Sequence, residues 1–182
     1  MASTRERILA AAGTLFYRDG VRAVGVNTVV AESGVAKMTL YKHFRSKDEL
    51  VAAWLRSRDE QWMAWLEREV RRPGGDPLLA VFDALESWFR QDDFRGCAFI
   101  NTQAELGATN PLAAEATAAH KRALREYLAG LAAAEGIRDA VGLARELLLL
   151  VEGAIVTASI DGDPRVARVA RRAAERAVGA YR

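Results

Sequence analysis

Eight consecutive residues, Lys37 to Phe44 (KMTLYKHF), bring two cations, two hydroxyls, an imidazole and a thioether into about two helical turns. On a helix, Leu40 and Phe44 stand four residues apart on one face and point inward. Lys37, Met38, Thr39, Tyr41, Lys42 and His43 are left largely outward. Lys, Thr and Tyr suit phosphate oxygens, a lysine near the helix start can reach guanine O6 and N7, and Met38 can lie against a thymine methyl. Taken singly, each of these is an ordinary solvated side chain. Their combination on one basic face after a tight turn points to duplex DNA. Catalysis has much less to work with. The chain holds two histidines, one of them in this row, and a single cysteine on an apolar stretch. His120 has no evident nucleophile or base beside it, so the expectation is that the protein is not an enzyme.

The elements that must hold this row are legible around it. A first helix is expected from about Thr4 to Tyr17, with Ile8, Ala12, Leu15 and Phe16 on one face and Asp19-Gly20 closing it. Between Gly25 and Phe44, Val26, Val29 and Val30 mark a short helix that ends at Ser33-Gly34. Val35 fills a turn before the second short helix. Two short helices joined by a glycine-containing turn form a helix-turn-helix. Ser46 and Glu49 then predict a capping box at the start of a long helix that reaches Arg71, where RRPGGDP breaks it. Asp76-Pro77, Asn110-Pro111 and Asp163-Pro164 each pair a capping side chain with a proline suited to the first helical position. They predict helices at 77–92, 111–134 and 164–181, with others near 97–106 and 138–160. The expected fold class is all-α, with about nine helices.

GVAKMTLYKHFRSKDEL, covering Gly34 to Leu50, resembles the helix-turn-helix of TetR-family transcriptional regulators. Matches fall at Gly34, Val35, Lys37, Thr39, Leu40, Tyr41, His43, Phe44, Lys47 and Leu50. The resemblance covers residues 4–60 and fades after about residue 70. It implies phosphate contacts from Thr39, Tyr41, His43 and Lys47, and places Lys37, Met38 and Lys42 nearest the bases. It also implies an N-terminal three-helix DNA-binding domain (4–60, motif 25–44), joined by the long helix to a C-terminal ligand-binding and dimerisation domain (70–182). Gly25 and Ala36 depart from the family's usual Ser or Thr caps. Ala is a poor cap, so the second short helix is expected to be loosely capped before DNA orders it.

Two later helices suit a dimer interface of the kind this family uses. Ala144, Leu147, Val151, Ala154 and Ala158 form a stripe on one, and Val166, Ala170, Ala173 and Ala177 form a stripe on the other. The plain alternative is that both finish a monomer core. Eight of the fourteen aromatic residues lie between Trp54 and Phe99. An aromatic region with a few polar groups suits a small-molecule cavity, for which the candidates are Phe82, Trp88, Phe89, Phe99, Gln103, His120 and Tyr127. Glu105 and His120, with Asn101 or Glu152, lack tight ligand spacing, so neither a metal nor a cofactor is expected.

Residues 1–47 hold eight Lys/Arg against three Asp/Glu, while the rest hold eighteen against twenty-one. A basic end on a mildly acidic body fits a polyanionic partner. Cys97 alone cannot form an intramolecular disulfide. The opening MASTRERILAAAG lacks the apolar core of a secretion leader, and nothing later matches a membrane span, so a cytoplasmic protein is expected. The combined expectation is a bacterial-type, sequence-specific homodimer bound to a palindromic operator. A small-molecule effector would release this repressor; the alternative is an effector-independent DNA-binding protein or an activator of the same fold.

Overall fold

The computed structural model describes residues 3–72 and 74–182, which contain nine α-helices, one 3-10 turn and no strand. The helices are α1 (Thr4–Asp19), α2 (Val26–Ser33), α3 (Lys37–His43), α4 (Lys47–Val70), α5 (Pro77–Phe89), α6 (Ala98–Leu106), α7 (Pro111–Ala134), α8 (Ala140–Asp161) and α9 (Val166–Tyr181). The 3-10 turn, Gly107–Thr109, joins α6 to α7. Of the segment expected to break α4, Pro73 lies outside the described residues. No described helix is long and apolar enough to cross a membrane.

The chain divides into two compact units. The first comprises Met1–Glu60 and Ala98–His120, so α6 and the start of α7 cluster with the helix-turn-helix although they lie far along the chain. The second comprises Gln61–Cys97 and Lys121–Arg182.

Two of the three proline signals work as expected. Asp76 accepts the Leu78 N–H at 2.9 Å ahead of Pro77, and Asn110 Oδ1 accepts the Ala113 N–H at 3.0 Å ahead of Pro111. The third is displaced. Asp163 spends its carboxylate on the Arg165 N–H and guanidinium, and α9 begins only at Val166. A capping box that the sequence reading did not single out starts α1, where Ser3 and Glu6 exchange bonds between side chain and backbone. At α4 the reciprocal arm differs from expectation: Glu49 reaches the Arg45 N–H, while Ser46 accepts from Glu49.

In the second unit, α5, α8 and α9 pack on one another. This packing corrects the expected dimer stripe. Ala144, Leu147, Val151, Ala154 and Ala158 are all buried within the single chain. The alanines let neighbouring helices approach closely inside the subunit, so this stripe is spent on the subunit's own packing. On α9 the buried row is Ala167, Ala170, Ala174 and Val178, which leaves Val166, Ala173 and Ala177 half-buried beside it. Arg168 bonds Glu86 of α5 at 2.8 Å, and Arg171 lies 3.0 Å from Asp83. The buried apolar row sets which side of α9 turns inward, and these solvent-exposed pairs lie beside it. The apolar residues left exposed are Val141, Leu149, Val156 and Ile160 of α8, with Val169 of α9.

Candidate nucleic-acid interface

With only seven residues, α3 is too short to be stable alone, so tertiary anchors must set its orientation. Leu40 and Phe44 provide them at 0% and 1% exposure. The Arg5 guanidinium sits 5.3 Å from the Phe44 ring centroid and covers it. The turn ahead of α3 is fixed by Gly34, whose φ of 64° an L side chain rarely adopts. Arg7 closes the end of α2 by donating to the Ser33 carbonyl at 2.8 Å.

With one side buried, α3 presents Lys37, Met38, Tyr41, Lys42 and His43 to solvent, and Thr39 is half-exposed. Met38 is 73% exposed, an unusual position for a thioether. Ala36 starts the helix with no side-chain cap, so its first N–H groups remain available to an acceptor such as a phosphate.

Lys47, expected to contact a phosphate, has a partner within its own unit. Its Nζ donates to the Val21 carbonyl at 2.6 Å, and burial lowers its pKa against the opposing charges of Asp48 and Glu105. The neighbouring Arg22 N–H donates to Glu105 Oε2 at 2.7 Å. Gly20 is needed here twice. Its φ is 88°, and an added Cβ would lie 3.1 Å from Glu105 Oε1. The loop between α1 and α2 is therefore held from α4 and from α6. Lys47→Ala is expected to destabilise the first unit by about 1.5–3 kcal/mol, the scale of a hydrogen bond to a charged group. The salt slope of DNA binding is expected to stay unchanged. Denaturant unfolding and a salt titration test this; a slope reduced by about one without loss of stability would restore the phosphate role.

The expected pocket residues fall in both units. In the second, Trp88 and Phe89 pack at 5.9 Å between centroids, and Phe94 stands edge-on to Trp88 at 5.0 Å. Phe82 is fully buried, and Tyr127 is half-buried, its phenol pKa raised by burial and then by Glu67. In the first, Phe99 stacks on His120 at 3.7 Å, whereas Gln103 is on the exposed side of α6. His120 Nδ1 and Asp59 Oδ1 share a hydrogen bond of 2.7 Å. Glu105 and His120 thus hold separate partners. Among the described residues, no three His, Cys, Asp or Glu side chains gather as a metal site. Buried polar groups without a partner among the described residues include the Thr102 and Thr117 hydroxyls, neither of which sequence reading singled out, and the NH2 of Asn110, which it took only as a cap.

The family model described as "Bacterial regulatory proteins, tetR family" matches residues 8–54, and "Tetracyclin repressor-like, C-terminal domain" matches residues 74–174. The chain belongs to the TetR family of DNA-binding transcriptional regulators. A TetR-family transcriptional regulator from Streptomyces coelicolor is 31% identical, with a TM-score of 0.86 over 98% of this chain and 95% of that one. A putative TetR regulator from Streptomyces avermitilis is 33% identical, with a TM-score of 0.78 over 96% and 99%. An HTH-type transcriptional repressor from Mycolicibacterium smegmatis is 29% identical over 92 residues, which are 47% of this chain and 44% of that protein. The chain spans about half the length of the curated relatives it matches.

Proposed function

We propose that the protein is a homodimeric repressor whose two α3 helices read successive major grooves of a palindromic operator, and that a small-molecule effector releases it. The observation that carries the reading is the outward row from Lys37 to His43 on a helix whose other side is buried. Repression is supported by the name of the Mycolicibacterium relative. Dimerisation is supported by the exposed apolar residues of α8 and α9, which in a single chain face water. The coupling runs through α4 and α6, whose Lys47 and Glu105 grip the loop ahead of α2. An effector releases DNA only to the extent that it prefers the state that does not bind. Titrating candidate effectors into the operator complex tests this, and compounds that bind the protein while leaving operator affinity unchanged would refute the coupling.

The same row separates two kinds of contact. Tyr41→Phe is expected to weaken binding by a similar factor on all duplexes, costing about 0.5–1.5 kcal/mol. Lys37→Ala is expected to cost about 1–3 kcal/mol on the preferred sequence and to relax base preference there, and Met38→Ala to shift that preference. Selection from random duplexes checks this; equal losses on specific and random DNA for all three variants would remove the distinction.

A further inference from the structure

Within the first unit, the turn Gly107–Thr109 brings α7 back along α6, and the Phe99 and His120 rings stack 6° from parallel. Thr102 lies one turn after Phe99 on α6, and Thr117 lies one turn before His120 on α7. Helical spacing therefore places both hydroxyls between the stacked rings and Asn110 at the head of α7. Thr102 Oγ1, Thr117 Oγ1 and Asn110 Nδ2 are buried, and none has a hydrogen-bond partner among the described residues. Thr102 is 1% exposed and Asn110 2%. The Asn110 amide is oriented by its own Oδ1, which caps Ala113 and leaves its NH2 buried without an acceptor. Folded interiors leave few such groups unmet, and here two hydroxyls share one level of the α6–α7 hairpin, with Asn110 roughly 10 Å further along α7.

We propose that the level of these two hydroxyls is a binding site for a small uncharged organic molecule carrying a carbonyl or hydroxyl oxygen. The two orphaned hydroxyls are neutral and both can donate, so together they match one neutral acceptor oxygen. A carboxylate would lose its hydration with no cation among these groups, and with the Asp59 carboxylate bonded to the adjacent His120. Ala113 and Ala116, buried on the same side of α7, take up little room beside the hydroxyls. The flat Phe99–His120 stack supplies an apolar wall at one end. The site rests on the ligand-responsive reading for its consequence: Glu105, one turn beyond Thr102, grips the loop ahead of α2, so a molecule seated at Thr102 acts on the helix that holds the reading unit.

The test uses the full chain without DNA, with cyclohexanone and N-methylacetamide as neutral probes. Cyclohexanecarboxylate and cyclohexylammonium are the charged comparisons. Calorimetry and thermal melts are expected to show saturable binding of a neutral probe. Thr102→Val and Thr117→Val are each expected to weaken it by about tenfold, the loss of one hydrogen bond. The same variants are expected to melt about 2–4 °C higher without ligand, because a methyl replaces a buried hydroxyl that has no partner. No binding by either neutral probe, binding by the charged probes alone, or unchanged binding by both valine variants would overturn the proposal. Neutral-probe binding that leaves operator affinity unaltered would keep the site and end the effector reading. Operator release by a neutral probe that both valine variants bind as well as the parent would end this site instead.

Discussion

Replacing Leu149 and Val156 together by glutamate is expected to turn the proposed dimer into a folded monomer and to lower operator affinity by at least about 100-fold. Leu149 is 73% exposed in the single chain, and Val156 is 38% exposed on the same face of α8. Substitutions at positions so open to water disturb the subunit itself little. A two-fold interface on this face uses the same patch of both subunits, so each subunit adds two carboxylates to a surface being desolvated. Linking two half-site readers is worth about 10²–10⁴ in apparent affinity, which the monomer forfeits. Light scattering for mass, circular dichroism for fold and a binding titration read the three parts. A dimer that survives both glutamates would place the partner elsewhere. Leu147→Ala is the informative contrast. Leu147 is 0% exposed, so its loss falls on subunit stability, at about 2–5 kcal/mol.

Phe44→Ala is the second large effect. It removes a 1% exposed ring and the surface on which Arg5 rests. The cost is about 3–5 kcal/mol, a large share of what a small unit commands. Because α3 has no stability of its own, binding is expected to fail on every duplex, specific or random. The second unit, which holds Trp62, Trp65 and Trp88, is expected to keep its near-ultraviolet signal when the first unit loosens. Affinity within twofold of the parent would show that the ring does not anchor the helix.

Local signals in the sequence were dependable where the chemistry was local. Asp76-Pro77 and Asn110-Pro111 located two helix starts because the capping side chain and the N–H that donates to it lie within three residues. Asp163-Pro164 misplaced a third by two residues, since the Arg165 guanidinium competes for the same carboxylate. The row Lys37–His43 was legible because Leu40 and Phe44 define its hidden side by spacing alone. The roles of Lys47 and Glu105 were not. Their partners at Val21 and Arg22 lie 26 and 83 residues away, and no periodicity encodes that.

The α8 stripe marks the limit most sharply. Alternating steps of four and three correctly identified a packing face of alanines and larger apolar residues. Both sides of α8 are apolar, however, and hydrophobicity has no direction of its own. Amino-acid order therefore determined the helices, their caps and the outward chemistry of α3, all of which depend on neighbours a few residues apart. Tertiary packing decided which face of α8 the subunit buries for itself and which described hydroxyls of α6 and α7 are left without partners. Those outcomes depend on residues that only folding brings together.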